Sequence, residues 1–264
     1  MKKVSVIIPS KNRFEFTEEA LRSVFLQKIN DAKLEVIVVD DLSSPSLKSV
    51  LNKKFPKVKF IKNKSHRHGP GPSRNIGLKY ATGDYIAFLD NDDQWKSNFL
   101  KLSLDTLYKN NAPCTLCFTK EFFDGEFSLV YRLKIRFLNL ARLIVLIYCV
   151  IFNKRQLPRS GFFLGQLSHM VFKNEFIKKL KFDEDLAAGE DMKFIAQATN
   201  LKEALIIPKK LVKFRYEPKS NTQSIIVRTN KWKAYRFLLK SLPPTHKKGL
   251  LHLMFLKYIR IFES

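Results

Sequence analysis

The sequence predicts an α/β protein in which helices flank a Rossmann-like, mostly parallel sheet. Short apolar runs rich in Val and Ile alternate with segments of helical spacing through the first 90 residues. Strands that alternate with helices are joined by crossovers and form parallel, doubly wound sheets. Two of the apolar runs end abruptly in paired carboxylates, and ligand sites of such sheets lie at the carboxyl ends of their strands.

The first strand is predicted at residues 4–8 and is expected to break at Pro9, which has no backbone N–H to donate. The first helix is predicted to run from Thr17, an N-cap residue type, to Gln27. Apolar residues recur there at helical spacing, and two glutamates follow the cap.

The second strand, residues 34–39, ends in Asp40 and Asp41. Helical spacing then predicts a helix at residues 46–54, and a third strand follows at 58–61. Each of these elements is short, as is typical of one βαβ unit in a compact domain.

A polar loop rich in Gly and Pro follows at residues 63–72, and a helix is predicted at 73–81 with Gly83 as its stop signal. The fourth strand, 85–89, runs directly into the acidic segment 90–93. Beyond residue 110 the pattern loosens.

The chain of 264 residues carries 48 Lys and Arg against 24 Asp and Glu, which gives a formal net charge of +24. The excess is concentrated in residues 126–264, which hold 27 basic and 10 acidic residues. Such a surface predicts an anionic partner, namely a nucleic acid, a phospholipid surface or a phosphorylated substrate.

Cysteine usage and hydropathy predict a cytoplasmic protein. The three cysteines form no disulfide framework, which indicates a reducing compartment. Cys114 and Cys117 have CxxC spacing, but they lie in an apolar run without a second pair, and we interpret them as core residues. The longest apolar run, 143–152, has 10 residues, whereas a bilayer span needs about 18 or more. No signal peptide is expected.

Carboxylates follow two predicted strands, at residues 40–41 and 90–93, and should meet at one edge of the sheet. Clustered ionised carboxylates need a cation, hydrogen-bond donors or water to offset their lost hydration, and a divalent metal supplies this. The alternative is a solvated turn that caps the next helix. Arg74 opens the predicted third helix and therefore suits a phosphate, although most arginines are surface cations.

Six segments of the chain form an ordered set of motifs. They are VSVIIPSKNR at 4–13, SVFLQ at 23–27, EVIVVDDLS at 35–43, SRNIG at 73–77, GDYIAFLDNDD at 83–93 and ED at 190–191. Each is weak alone, but their order and spacing resemble those of the inverting family 2 glycosyltransferases, which have a GT-A fold. The resemblance covers roughly residues 3–217.

The resemblance implies roles for the residues at the nucleoside end. Asp40 or Asp41 would recognise the uracil and ribose of a nucleotide-sugar donor. Pro9 and Arg13 would line the same pocket, and Arg74 would bind the donor.

The resemblance also makes residues 90–92 a DXD element. Asp92 would ligate Mn²⁺ or Mg²⁺, ions that favour hard oxygen ligands. Asp90 would face the ribose or the donor sugar, and Asn91 would complete the donor site.

Glu190 and Asp191 match the catalytic-base motif of the family, and we assign the base to Asp191 with Glu190 in support. The alternative is an ordinary carboxylate pair at a helix N-terminus, which the helix dipole stabilises. Family members often carry a His near the end of the domain, where this sequence has Glu217. Glutamate also ligates hard cations, but a surface position is equally compatible with the sequence.

Two basic segments, 127–174 and 218–262, contain no Asp or Glu. Arg132, Arg136 and Arg142 accompany apolar residues at helical spacing, which is typical of a helix at a membrane interface or packed on a core. A strand with Arg132 and Arg136 on one face is an alternative. We favour peripheral association with the anionic inner face of the cell membrane.

We therefore expect an inverting, metal-dependent transferase that moves a sugar from a nucleotide-sugar, a UDP-sugar above all, to a hydroxyl of a glycan or lipid-linked glycan acceptor. Residues 1–217 would form the transferase domain, with a nucleotide-binding half at 1–110 and an acceptor-binding half at 111–217. Residues 218–264 would form a basic, amphipathic helical extension. The alternative is a non-catalytic protein that binds nucleic acid or another anionic surface. Against nucleic acid, clustered carboxylates would repel a phosphate backbone.

Overall fold

The computed structural model describes residues 1–29, 31–152, 156–157, 166–186, 189–200 and 202–217. The strands within these ranges are β1 (Lys2–Ser10), β2 (Ala32–Asp40), β3 (Val58–Lys62), β4 (Tyr85–Phe88), β5 (Gln94–Trp95), β6 (Cys114–Phe123), β7 (Gln156–Leu157), β8 (Met170–Lys173) and β9 (Ala204–Tyr216). The helices are α1 (Phe14–Phe25), α2 (Leu47–Leu51), α3 (Pro70–Tyr80), α4 (Phe99–Lys109), α5 (Leu129–Phe152), α6 (Asn174–Ile177) and α7 (Glu190–Ala198). A short 3₁₀ turn, Leu167–His169, precedes β8.

The described strands form one sheet in the order β3-β2-β1-β4-β8-β6-β9-β5, with β7 beside β9. The first four strands are parallel, as the sequence predicts. The expectation of a mostly parallel sheet is confirmed, since β6 and β9 are also parallel, although the short strands β8, β5 and β7 each run antiparallel to their neighbours. The 3₁₀ turn explains the reversal of β8. It places Ser168 within hydrogen-bond distance of the Asp90 N–H, so the chain enters β8 at the carboxyl end of β4.

The predicted break at Pro9 is wrong, because Pro9 lies inside β1 opposite Val39. The pairing between β1 and β4 ends at Ile7, whose carbonyl accepts from the Leu89 N–H. Backbone groups two residues apart on a strand point the same way, so the nitrogen of Pro9 faces the side where β4 has already ended. A proline there removes no ladder hydrogen bond.

Two predicted helices begin earlier than expected. The first helix starts at Phe14, so Thr17 is not its cap, and the Thr17 hydroxyl donates to the carbonyl of Arg13 at 2.6 Å. The third starts at Pro70 rather than Ser73. A proline fits the first helical turn because its nitrogen needs no partner there. Arg74 therefore lies inside α3 instead of opening it.

Two apolar clusters form the core, one on each face of the sheet. Cys114 and Cys117 are both buried and belong to different clusters, because residues three apart on a strand point to opposite faces. This arrangement confirms that they are core residues. Burial raises the pKa of the Cys114 thiol.

The expected strand alternative at residues 132–136 is wrong, because these residues belong to the 24-residue helix α5. Within the described ranges, no helix is both long and apolar enough to cross a membrane. The predicted extension at 218–264 lies outside the described residues, as does the residue boundary proposed for it.

A buried carboxylate, Glu35, ties β1 and β2 to the turn before β4. It accepts hydrogen bonds from the Ser5 hydroxyl, the Lys3 ammonium and the Thr82 N–H. Burial acts to raise the pKa of Glu35, but these donors outweigh it and lower the pKa from 4.5 to about 2. Because the folded state favours the ionised form, Glu35 stabilises the fold above pH 4.5, and this contribution is lost as the pH falls through the folded pKa.

Replacing Glu35 with Gln should lower the free energy of unfolding at pH 7 by roughly 1–3 kcal/mol. The difference from wild type should shrink as the pH falls below about 4.5. Urea unfolding at several pH values measures both effects. The exposed Asp105, changed to Asn, is the control and should alter stability by less than about 1 kcal/mol. A pH-independent loss in the Glu35 variant would contradict the ionised role.

Candidate active site

The carboxyl ends of β1, β2 and β4 converge, which confirms the predicted edge. The Asn91 amide donates to the Ser10 hydroxyl at 2.8 Å. The Arg13 guanidinium donates to the Asp92 carboxylate at 3.1 Å. Residues from the first strand–helix junction and from the segment after β4 are therefore in direct contact.

Asp40 is buried at the end of β2 and shapes the loop that follows it. Its two carboxylate oxygens accept from the N–H groups of Ser43 and Leu47, each at 2.8 Å. A carboxylate that holds two backbone N–H groups fixes the path of the chain between them. The structure thus uses Asp40 to organise the edge of the candidate nucleoside pocket.

Asp41 is buried beside the loop that leads into α3. Its carboxylate accepts from the Asn63 amide and the Gly69 N–H, and it lies 2.8 Å from the His68 ring nitrogen. Gly69 has φ +109°, a backbone conformation that glycine adopts without strain. Asp41 therefore fixes a loop that bends sharply before the helix, and the His68 side chain stays partly exposed at its tip.

The acidic segment 90–93 forms a tight turn between β4 and β5. The Asp93 N–H donates to the Asp90 carbonyl, and the Trp95 indole donates to the Ser168 carbonyl. Burial first, and then Asp90, raises the pKa of Asp92 to about 6. Burial and the neighbouring carboxylates raise the pKa of Asp93 well above its usual range. Concentrated negative charge is an environment that favours a bound cation.

Arg215 anchors this turn from the end of β9. Its Nε–H donates to the Asp92 carbonyl at 3.1 Å, and its guanidinium pairs with Glu19 and Asp124. The guanidinium also lies over the Phe16 and Phe122 rings, at 4.4 and 4.9 Å from their centroids. A buried cation with this many partners fixes the position of the acidic turn relative to α1.

Arg13 joins Asp92 to Glu217. One guanidinium nitrogen of Arg13 lies 3.1 Å from Asp92 and 2.8 Å from Glu217. Two carboxylates thus converge on one positive group, and both are hard oxygen donors of the kind that Mn²⁺ and Mg²⁺ prefer. Among the described residues, no group of three side chains could hold a metal on its own. The donor set therefore fits a cation whose coordination is completed by oxygens from a ligand.

Arg74 bridges two of the acidic motifs. Its guanidinium donates to Asp90 at 2.6 Å and to Glu190 at 3.0 Å, and its side chain is only 5% exposed. Burial alone would lower the pKa of Arg74, but Asp90 and Glu190 raise it above the ordinary value. The prediction that Arg74 opens the third helix is wrong, because α3 begins at Pro70. Arg74 instead lies between the two carboxylates.

Glu190 and Asp191 occupy the first turn of α7, as predicted. Gly189 precedes them with φ 87°, so the chain turns sharply into the helix. Burial first, and then Asp191, raises the pKa of Glu190 to about 7, against the opposing effect of Arg74. Asp191 is half-buried, and its carboxylate accepts from the Met192 N–H at 2.8 Å. Arg74 holds Glu190 in place and leaves Asp191 next to it at the start of the helix.

Replacing Arg74 with Ala should leave Asp90 and Glu190 as unpaired, partly desolvated carboxylates. We expect a loss of roughly 3–5 kcal/mol in the free energy of unfolding, as for other broken buried ion pairs. Urea unfolding measures it. The matched control is Lys79→Ala, an exposed cation on the same helix, which should change stability by less than about 0.5 kcal/mol. Equal stabilities of the two variants would show that the bridge contributes nothing.

Four residues that organise the site escaped the sequence analysis. Glu19, Ser168 and Arg215 act through contacts that span 78 to 196 positions along the chain. His68 lies in a polar loop and reaches Asp41 across 27 positions. The sequence around a single residue does not indicate such distant pairing. Arg215 is the exception, because it lies two positions before Glu217, at the end of the segment that resembles the family.

The sequence model of the family described as glycosyl transferase family 2 matches residues 5–177. A curated β-1,3-glucosyltransferase of GalNAc(5)-diNAcBac-PP-undecaprenol from Campylobacter jejuni is 41% identical over 103 residues, which cover 38% of this chain and 33% of that protein. A UDP-Glc:α-D-GlcNAc-diphosphoundecaprenol β-1,3-glucosyltransferase from Escherichia coli is 38% identical over 109 residues, which cover 41% of this chain and 42% of that protein. The chain thus matches less than half the length of these relatives.

Solved structures show the same fold over most of the chain. Staphylococcus aureus TarS 1–349, in complex with UDP-GlcNAc, superposes with a TM-score of 0.69 at 19% identity and covers 94% of this chain and 70% of that one. A Pyrobaculum calidifontis mannosyltransferase, in complex with GDP-Man and Mn²⁺, gives 0.65 at 19% identity and covers 94% and 68%. The fold is GT-A, with a mixed sheet in its second half. Because the family model spans well over half of the sequence, the chain belongs to glycosyl transferase family 2.

Proposed function

We propose that this chain is an inverting glycosyltransferase that moves a sugar from a nucleotide-sugar, specifically a UDP-sugar, to a hydroxyl group of a glycan acceptor. One observation carries the proposal. Arg13 and Arg74 connect acidic groups from three separate stretches of the chain, so that Asp90 and Asp92 lie in one region with Glu190 and Glu217. A transferase of this kind needs that combination, because one part of the site holds a diphosphate and another takes a proton.

The names of the relatives support the choice of substrates. Two curated relatives act on undecaprenol-diphosphate glycans, and one of them uses UDP-Glc. The TarS structure with the same fold contains UDP-GlcNAc. We therefore propose a lipid-linked or polymeric surface glycan as the acceptor. The enzyme would work peripherally at the inner face of the membrane, where lipid-linked acceptors are made.

In the nucleoside pocket, Asp41 with its partner His68 would contact the base, and Pro9 would line the wall. Asp40 would shape the pocket through the loop whose N–H groups it holds, whereas Asp41 reaches the surface through the partly exposed His68. Asn91, hydrogen-bonded to Ser10, would face the ribose side of the donor.

Asp92 would hold Mn²⁺ or Mg²⁺, and we add Glu217 as a second protein ligand because Arg13 already brings the two carboxylates together. When bound, the metal supplies positive charge to the departing diphosphate. Arg13 would shift from the two carboxylates to the phosphate oxygens of the donor. Asp90, held by Arg74, would accept from hydroxyls of the ribose or the donor sugar.

Asp191 would act as the general base that takes the proton from the acceptor hydroxyl as its oxygen attacks the sugar. A single displacement of this kind inverts the configuration at the sugar carbon, and the diphosphate leaves on the opposite side. Glu190 would not carry the proton, because Arg74 holds its carboxylate.

The proposed function is tested by incubating the full chain with Mn²⁺ and a panel of UDP-, GDP- and dTDP-sugars, with and without an undecaprenyl-diphosphate-linked acceptor, and measuring nucleoside diphosphate release. We expect UDP release from at least one UDP-sugar and stimulation by the acceptor. Absence of release from every donor, together with no UDP binding by calorimetry, would reject the proposal. DNA binding by a chain that shows no affinity for UDP would favour the nucleic-acid-binding alternative.

Changing Glu217 to Gln should weaken Mn²⁺ binding in the presence of UDP by roughly tenfold, because one anionic oxygen ligand is lost. Electron paramagnetic resonance of free Mn²⁺ measures this without turnover. UDP binding without metal should change by less than about twofold. An unchanged Mn²⁺ affinity would remove Glu217 from the metal site and leave Asp92 in it.

A further inference from the structure

Helix α5 carries an exposed apolar stripe. Eight of its apolar side chains are 42–75% exposed: Leu129, Val130, Leu133, Phe137, Leu140, Ile144, Ile147 and Ile151. From Leu133 onward the exposed positions are spaced by 4, 3, 4, 3 and 4 residues, which aligns them along one face of a helix. A stripe this long is unusual on a soluble surface, where large exposed apolar patches mark interaction sites.

Contacts beside the stripe join α5 to the rest of the molecule. Leu143 packs against the core cluster on one face of the sheet. The Arg132 guanidinium lies over the Phe123 ring, 5.5 Å from its centroid. The N-terminal turn is further linked to the domain by stacking of Tyr131 on Phe127 and contact of Phe127 with Phe123. These contacts leave the stripe itself exposed.

Helix α5 itself contains no acidic residue. The segment 127–174 contains eight Lys and Arg and no Asp or Glu. Arg136 is exposed beside Phe137, and Arg132 lies one helical turn before it along the same border. An apolar strip bordered by cations is the pattern of helices that lie at an anionic membrane surface.

Charge argues against two other occupants. A second copy of α5 would bring its own cations against these, with no acidic residue on the helix to pair them, and like charges across a helix pair are unfavourable. The segment 218–262 of the same chain is equally free of acidic residues and holds ten Lys and Arg. Neither occupant provides the negative charge that the borders of the stripe require.

We infer that α5 docks lengthwise on an anionic phospholipid surface, with the stripe in the acyl–headgroup boundary and the flanking cations at the phosphates. The 24 residues of the helix extend over about 36 Å, enough to lie along the interface. This inference rests on the membrane location in the proposed function and assigns membrane contact to the exposed stripe of α5. The aromatic row from Tyr131 to Phe123 continues to Tyr216 by stacking at 5.1 Å, next to Glu217. A membrane-docked α5 would therefore bring the candidate active site close to a lipid-linked acceptor.

The test is cosedimentation of the full chain with vesicles of phosphatidylcholine alone or with about 30% phosphatidylglycerol, which gives the vesicle a negative surface potential. The wild type should bind the anionic vesicles and bind the neutral ones weakly. The double variant Phe137→Glu and Ile144→Glu should reduce binding at least tenfold, and Arg136→Gln should reduce it about fivefold. The matched control places glutamates at Leu26 and Val50, two exposed apolar residues on another face, and should bind as the wild type does.

The outcomes are separable. Equal binding of the stripe and control variants would overturn the assignment to α5 while leaving a membrane location intact. Absence of vesicle binding by the wild type would reject both. Sedimentation velocity without lipid provides a third readout: a dimer that the stripe variant abolishes would assign the stripe to a second copy and overturn the inference. UDP release by the enzyme without lipid, measured on the same variants, should stay within about twofold of wild type. A failure of the proposed reaction would therefore appear in the UDP-release assay and not in the vesicle-binding assay.

Discussion

Replacing Asp191 with Asn should abolish sugar transfer while UDP binding stays intact. Loss of a general base lowers rates by roughly 10²–10⁴, and the neutral amide cannot take the acceptor proton. Asn keeps the shape of Asp, and the contact from the Met192 N–H can still be made to its carbonyl oxygen. The measurement is single-turnover transfer alongside calorimetric UDP binding.

The control for this variant is Asp185→Asn, which removes a highly exposed carboxylate before the same helix and should leave the rate within about threefold of wild type. The variant Glu190→Gln separates the role of Glu190 from that of Asp191, because Glu190 is held by Arg74. If Glu190→Gln removed transfer while Asp191→Asn retained it, the base would be Glu190 and our assignment would be wrong.

Replacing Asp92 with Asn should eliminate metal-dependent turnover, with a fall of about 10²-fold or more in kcat/KM, since metal ligation contributes several kcal/mol to stabilising the leaving diphosphate. Mn²⁺ binding in the presence of UDP should weaken in parallel, measured by electron paramagnetic resonance. Stability should not fall, because burial and Asp90 already disfavour the charge on Asp92.

Asp31→Asn, at an exposed position, is the control for Asp92 and should leave both Mn²⁺ binding and turnover unchanged. A variant that unfolds at a lower denaturant concentration than wild type would show that Asp92 stabilises the fold. Full activity in Asp92→Asn with unchanged Mn²⁺ dependence would place the metal elsewhere.

The sequence was informative where local pattern and position coincide. Apolar runs that end in carboxylates predicted β2 and β4 and the edge at which they meet, and the adjacent Glu190 and Asp191 suited the helix N-terminus at which α7 begins. These features depend on periodicity and on short-range backbone preferences, which one sequence contains.

Features that depend on distant contacts could not be predicted in this way. The entry of β8 between β4 and β6, the place of Arg74 between Asp90 and Glu190, and the burial of Arg215 against α1 all arise from packing of remote segments. The early start of α3 has a local cause. Pro70 and Pro72 suit a first helical turn, although a segment rich in Gly and Pro is typical of a loop.

The central claim is that acidic groups from separate stretches form one site, with Asp92 on the metal–diphosphate side and Asp191 on the acceptor side. A crystal structure with UDP and Mn²⁺ tests it most directly. We expect Mn²⁺ bound to Asp92 and to diphosphate oxygens, the uracil beside Asp41, and the Asp191 carboxylate facing the open side where the sugar would lie. UDP bound away from these residues, or Asp191 turned away from the diphosphate, would contradict the account.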